Sequence, residues 1–137
     1  VFDCADPDRL AAFWAETLHY VIQPPPTGYA SWEAFLKAMR VPKEEWSAAS
    51  AIVDPDGKGP RIYFQKMDTP KPGKNRLHLD VNVGGGPKIP LPERRRRVDA
   101  EARRVRGLGA RRLRTESDSG EYWIVMADPE DNEFCIQ

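Results

Sequence analysis

Asp128-Pro129-Glu130-Asp131-Asn132-Glu133-Phe134-Cys135-Ile136-Gln137 restates a phrase from the middle of the chain, Asp54-Pro55-Asp56-Gly57 followed by Arg61-Ile62-Tyr63-Phe64-Gln65. Each copy opens a turn at Asp-Pro, because proline fixes its own φ and the aspartate carboxylate can bond the backbone just beyond it. Each copy then enters a β-prone run that ends in Gln. A phrase used twice in this way makes the chain a repeat of one unit.

The segments ahead of the two copies correspond as well. In the second half, residues 76–83 read as a strand, and Val98, Ala102, Val105 and Gly109 mark the inner face of an arginine-coated helix that stops near Gly107. Strands over 110–115, 122–127 and 132–137 complete the order β-α-β-β-β. In the first half, residues 1–4 form a short strand, and Asp6-Pro7 supplies an N-cap and a first-turn proline. Leu10, Phe13, Trp14, Thr17 and Leu18 then recur at helical spacing. His19 stands at the exit of this helix, where a cation complements the helix dipole. The later strands of this half fall at 20–22, 49–53 and 60–66. The expected fold is α+β, two tandem βαβββ modules in a single domain over 1–137: module one at 1–66, a linker rich in Pro, Lys and Gly at 67–75, and module two at 76–137.

Module one carries an insertion at 24–48. Pro24-Pro25-Pro26-Thr27-Gly28 breaks the chain, after which Trp32, Phe35, Leu36 and Met39 repeat at helical spacing behind Ser31 as N-cap. A second turn over 42–46 brings Trp46. These aromatics read either as a plug for one end of the core or as a lid over a pocket.

Lys plus Arg and Asp plus Glu balance at 21 each, so no global field draws in nucleic acid or an anionic membrane. Ten arginines fall between Arg94 and Arg114, but four of them are consecutive and point all round a helix, and no aromatic is interleaved for base stacking. No apolar run approaches the roughly 20 residues of a membrane-spanning helix. A soluble protein that binds neither nucleic acid nor membrane is expected. Cys4 and Cys135 are too few for a disulfide scaffold, so reduced thiols and a cytoplasmic setting are expected. The chain has no G-x-S-x-G elbow and no P-loop, and Gly84-Gly85-Gly86 runs into Pro87 instead of a helix start.

Asp3-Cys4-Ala5-Asp6-Pro7 leading to Phe13-Trp14, the strand Asn75-Arg76-Leu77-His78-Leu79-Asp80-Val81, and Asp128-Pro129-Glu130 leading to Asn132-Glu133-Phe134-Cys135 resemble the glyoxalase-like branch of the vicinal oxygen chelate superfamily, the glyoxalase, bleomycin resistance and dioxygenase proteins. The resemblance covers nearly the whole chain. It implies that the curved mixed sheets of the two modules form a cleft, where the enzymes of the superfamily hold a divalent metal by one residue from each of four strands. Other members bind antibiotics without chemistry, so fold alone does not name a reaction. Related modules pair or swap halves, which implies a homodimer.

Carried over residue by residue, the resemblance places a first-strand metal ligand of module two at His78 and its module-one counterpart just before Val1. The last-strand ligand, normally a carboxylate, falls on Cys135, and its repeat mate is Tyr63. Glu133 lies two residues from Cys135 on the same strand face and offers a shifted carboxylate, while Gln65 and Gln137 share the alternation in the two halves. The metal candidates are therefore His78, Glu133 and Cys135, with Zn, Ni, Fe or Mn as the ion. One histidine with a tyrosine and a cysteine is a poor set for a hard cation. The reading favoured by the missing glutamates is a glyoxalase-like protein that binds a small organic molecule, with Tyr63, Gln65, His78, Glu133, Cys135, Trp32 and Trp46 lining the cleft. The alternative is a metal-dependent lyase, isomerase or dioxygenase. A Cys135–His78 nucleophilic pair ranks behind both, since buried strand cysteines are usually inert.

Overall fold

In the computed structural model, which describes residues 1–69, 71–73, 75 and 78–137, the chain divides into two units, Val1–Lys71 and Pro72–Gln137. The boundary falls inside the 67–75 linker.

The first unit contains β1 (Phe2–Cys4), α1 (Pro7–Leu18), β2 (Val21–Ile22), α2 (Trp32–Ala38), a 3-10 turn at Lys43–Glu45, β3 (Ala49–Val53) and β4 (Ile62–Lys66). Its sheet runs β1-β4-β3-β2, parallel between β1 and β4 and antiparallel elsewhere. The second unit contains β5 (Leu79–Val81), α3 (Leu91–Gly107), β6 (Arg111–Asp118), β7 (Glu121–Ala127) and β8 (Glu133–Ile136). Its sheet runs β5-β8-β7-β6, with the same mixture of one parallel and two antiparallel pairings. Each unit is a βαβββ module, and the repeat read from the sequence is the repeat of the fold.

The shared phrase does the same work in both units. Asp54 accepts hydrogen bonds from the backbone N–H groups of Asp56 (2.9 Å), Lys58 (3.0 Å) and Gly59 (2.7 Å). These bonds, that from Asp56 foremost, hold its carboxyl below the usual range. Asp128 Oδ1 accepts from the N–H groups of Glu130 and Asn132, both at 2.9 Å. Ala51 pairs with Tyr63 in β3–β4 and Val125 with Cys135 in β7–β8. Asp54 and Asp128 each follow three residues after the first member of these pairs, so Tyr63 and Cys135 are counterparts.

Asp6 starts α1 by accepting from Arg9 N–H at 3.1 Å, and His19 ends it in the left-handed conformation at φ 58°. The inner face of α1, with Leu10, Ala11 and Trp14, is buried together with Ile52 and Phe64 of the sheet. Phe2 joins this cluster, with its ring 5.7 Å from Trp14 and 5.4 Å from Phe64. In the second unit Val98, Ala102 and Val105 of α3 are buried along with Ile124, Met126, Phe134 and Ile136 of β7 and β8. Gly109, placed on the inner helix face from its spacing, lies beyond the helix end. There the backbone turns to φ 110° and its N–H bonds Arg106 O, a conformation that suits glycine. The strand read at 76–83 begins on Arg76 and Leu77, which lie outside the described residues; the described strand is β5.

The insertion aromatics do not plug the core. Ser31 caps α2 by accepting from Ala34 N–H at 3.1 Å, yet the helix has no fully buried residue. Trp32, Phe35 and Tyr29 instead pack edge to face on one another, at 5.7 Å for Trp32–Phe35 and 5.1 Å for Tyr29–Phe35. A seven-residue helix between prolines and a turn packs on its own neighbours, which leaves its aromatics half exposed. Among the described residues no helix is long and apolar enough to cross a membrane.

Candidate functional site

β5 and β8 run side by side in parallel, with Leu79 opposite Phe134, Asp80 opposite Cys135 and Val81 opposite Ile136. Successive side chains of a strand point to opposite faces. Phe134 and Ile136 go with the buried residues of α3, and Cys135 and Asp80 share the other face. His78, two residues before Asp80, returns to that face. This alternation brings His78 Nε2 to 3.1 Å from Cys135 Sγ. One ligating atom each from His78, Asp80 and Cys135 lies within 4.8 Å of the other two, with His78 and Asp80 exposed and Cys135 buried.

Asn75 is held by amides of the second Asp-Pro phrase. Asn132, held by Asp128, accepts from Asn75 Nδ2 at 3.3 Å, and Asn75 Oδ1 accepts from Glu133 N–H at 3.4 Å. The Asp-Pro turn of the repeat therefore also holds Asn75, which precedes His78 by three residues in the sequence.

Burial pushes the Cys135 thiol up to about 11, helped by the negative charges of Asp80, Glu133 and Glu116, while Arg114 opposes the shift. At neutral pH the thiol therefore keeps its proton. Towards a neutral imidazole, Sγ–H is then the donor and His78 Nε2 the acceptor.

The chemistry of the donor set decides whether a metal fits. An imidazole nitrogen, a carboxylate oxygen and a cysteine sulfur are all zinc ligands, bonded at about 2.0 to 2.3 Å, which sets tetrahedral ligand atoms about 3.5 Å apart. Three atoms within 4.8 Å of one another match that spacing after small side-chain rotations. The group fits a borderline cation that accepts sulfur.

Of the residues singled out in the sequence, the structure brings His78 and Cys135 together. Glu133 lies half-buried on β8, where its charge acts on Cys135, and the third member of the cluster is Asp80. Asp80 is legible in the sequence by the same signal: the alternation that links Glu133 with Cys135 also links His78 with Asp80.

The candidates of the first unit are engaged locally. The Arg61 guanidinium lies 5.0 Å from the Tyr63 ring centre. Gln65 Nε2 donates to Ala48 O at 3.3 Å. The indole N–H groups of Trp32 and Trp46 donate to Gln23 O (2.7 Å) and Val41 O (3.0 Å).

The family described as glyoxalase-like domain matches residues 1–137. No curated protein matches the chain significantly. Solved structures of the same fold include a glyoxalase/bleomycin resistance protein/dioxygenase family enzyme from Burkholderia phytofirmans, at 16% identity and TM-score 0.62 over 98% of this chain and 91% of that one. Another is a mutant of the fosfomycin resistance protein FosX from Listeria monocytogenes in complex with manganese(II) and 1S,2S-dihydroxypropylphosphonic acid, at 14% identity and TM-score 0.59 over 99% of this chain and 83% of that one. TioX from Micromonospora follows at 13% identity and TM-score 0.54, over 98% and 91% of the two chains.

Proposed function

The chain belongs to the glyoxalase-like domain family, and from that premise we propose that it binds a small organic molecule at a divalent metal held by His78, Asp80 and Cys135, for chemistry of the lyase, isomerase or dioxygenase kind. The observation that carries this reading is the convergence of three ligating atoms within 4.8 Å, drawn from the neighbouring first and last strands of the second module and the residue that leads into the first. A structure of the same fold that carries manganese(II) with a small polar acid supports it. Three protein ligands would leave a coordination position for a substrate oxygen. The ion would supply Lewis-acid polarisation of that oxygen. His78, Asp80 and Cys135 would hold it, while Glu133, on the same strand face as Cys135, would be the carboxylate that takes or gives a proton. Neither Cys4 nor Cys135 is joined in a disulfide, which fits a reducing, cytoplasmic setting.

A second reading, a metal-free binding protein, draws on the protonated thiol of Cys135 already in hydrogen-bond contact with His78. In that case the trio is a polar wall that orients a ligand by hydrogen bonds. Elemental analysis of the full chain, before and after chelation and on His78→Ala, separates the two. Near-stoichiometric metal that disappears with His78→Ala is expected. Metal no higher than trace after incubation with zinc, nickel, iron or manganese salts would leave the metal-free binder standing.

A further inference from the structure

We infer that Cys135 makes this a sulfur-tuned site that prefers zinc(II) to manganese(II); the inference rests on the metal reading above. The sulfur is not peripheral to the cluster. It is the buried member, it lies 3.1 Å from His78 Nε2, and it stands opposite Asp80 in the strand register. Its nearest carboxylate neighbour on β8 is Glu133, two residues and therefore about 7 Å along the strand. The cluster gathers Asp80 of β5 and not Glu133, so no carboxylate from β8 takes the place of Sγ. Thiolate suits zinc, whereas manganese is a hard ion served best by carboxylate, carbonyl and water. Loading the site exchanges the thiol proton, released to solvent, for a bond from Sγ to the ion. The donor set therefore departs from what a manganese site would use, although a structure of the same fold carries that ion.

Zinc outranks manganese at nearly any site built from nitrogen, oxygen and sulfur, so a bare preference decides nothing. The decisive quantity is the part of the gap that vanishes when sulfur is replaced by oxygen. Equilibrium dialysis of the full chain against zinc and against manganese, repeated on Cys135→Asp and Cys135→Ser, measures it. The zinc-to-manganese affinity ratio should fall by about tenfold or more in Cys135→Asp. Cobalt(II) bound to the unaltered chain should give the near-ultraviolet charge-transfer band of a cobalt–thiolate bond, and Cys135→Ser should abolish it. Circular dichroism on each variant confirms that it is folded, and the cobalt spectrum of the unaltered chain needs no variant at all. Manganese or zinc bound in a His78-dependent manner, with the ratio unchanged in Cys135→Asp or no thiolate band with cobalt, would overturn the inference and leave the metal reading intact. Failure of every ion to bind would overturn both.

Discussion

Asp54 and Asp128 fold the same turn in different surroundings, and the difference sets what each contributes. Asp128 is 2% exposed, and its carboxylate satisfies the N–H groups of Glu130 and Asn132 as well as the Asn132 amide. Asp128→Ala leaves those donors without their acceptor, at about 1 to 3 kcal/mol; chemical denaturation should show it, with a smaller loss for the more exposed Asp54→Ala. Cys135 gives a pH prediction. An ordinary thiol ionises near 9.0 and this one near 11, so the unfolded chain loses its proton first and the stability contribution of the buried thiol is lost as pH rises through that window. Alkylation of the metal-free protein at pH 8 should be correspondingly slow, since only about one thiol in a thousand is ionised there, and should climb about tenfold per pH unit towards 11. Mass spectrometry of timed samples reads this. At this scale the sequence exposed His78 and Cys135 but not their 3.1 Å approach, because contact between residues 57 apart depends on strand register, and no residue type announces a register.

α3 shows how an apolar stripe governs a helix that is otherwise covered in charge. Val98 and Val105 are fully buried, while Arg96 and Arg97 bind Glu93 and Arg104 binds Glu101. The arginine coat is thus partly neutralised within the helix itself. Val98→Ala should lower stability by about 2 kcal/mol, whereas Arg103→Ala on the exposed side should change it by less than about 0.5 kcal/mol; thermal melts distinguish them. Side-chain bonds from Arg96 and then Arg97 hold the Glu93 carboxyl down at about 2, from an ordinary 4.5. The stabilisation they give is therefore complete above about pH 4.5 and is lost as pH falls towards 2. The stripe was readable from periodicity, as were the caps at Asp6 and Ser31. Gly109 misled because helical spacing continues on paper past the residue where the backbone turns left-handed. The insertion misled for a different reason: helical spacing of aromatics reports that they share a face, not what the face meets.

Across the molecule, the two units repeat one strand order, and each places its fourth strand between its first and third. The sequence revealed this order through the doubled Asp-Pro phrase and grouped His78 with Cys135 through the resemblance, whereas the parallel register is what sets Asp80 opposite Cys135. β6 ends the sheet of the second unit, pairs with β7 across a bulge at Leu113, and carries exposed Arg111, Arg112 and Arg114. Charged side chains on such a strand discourage another chain from adding to it. Arg112→Val with Arg114→Val should therefore shift the protein towards larger assemblies in sedimentation velocity runs, with the secondary structure retained in circular dichroism.

The central position of the fourth strands also dictates a timetable during synthesis. β4 completes the sheet of the first unit at Lys66, so that unit can fold while the ribosome is still making the second. The second unit has no such head start. β5 emerges early but has no sheet partner until β8 is made, and the apolar side chains of β7, Ile124 and Met126, wait for the same strand. Until Ile136 leaves the exit tunnel, the nascent second unit presents an open sheet to whatever chaperone is nearest, and its ligand cluster does not yet exist.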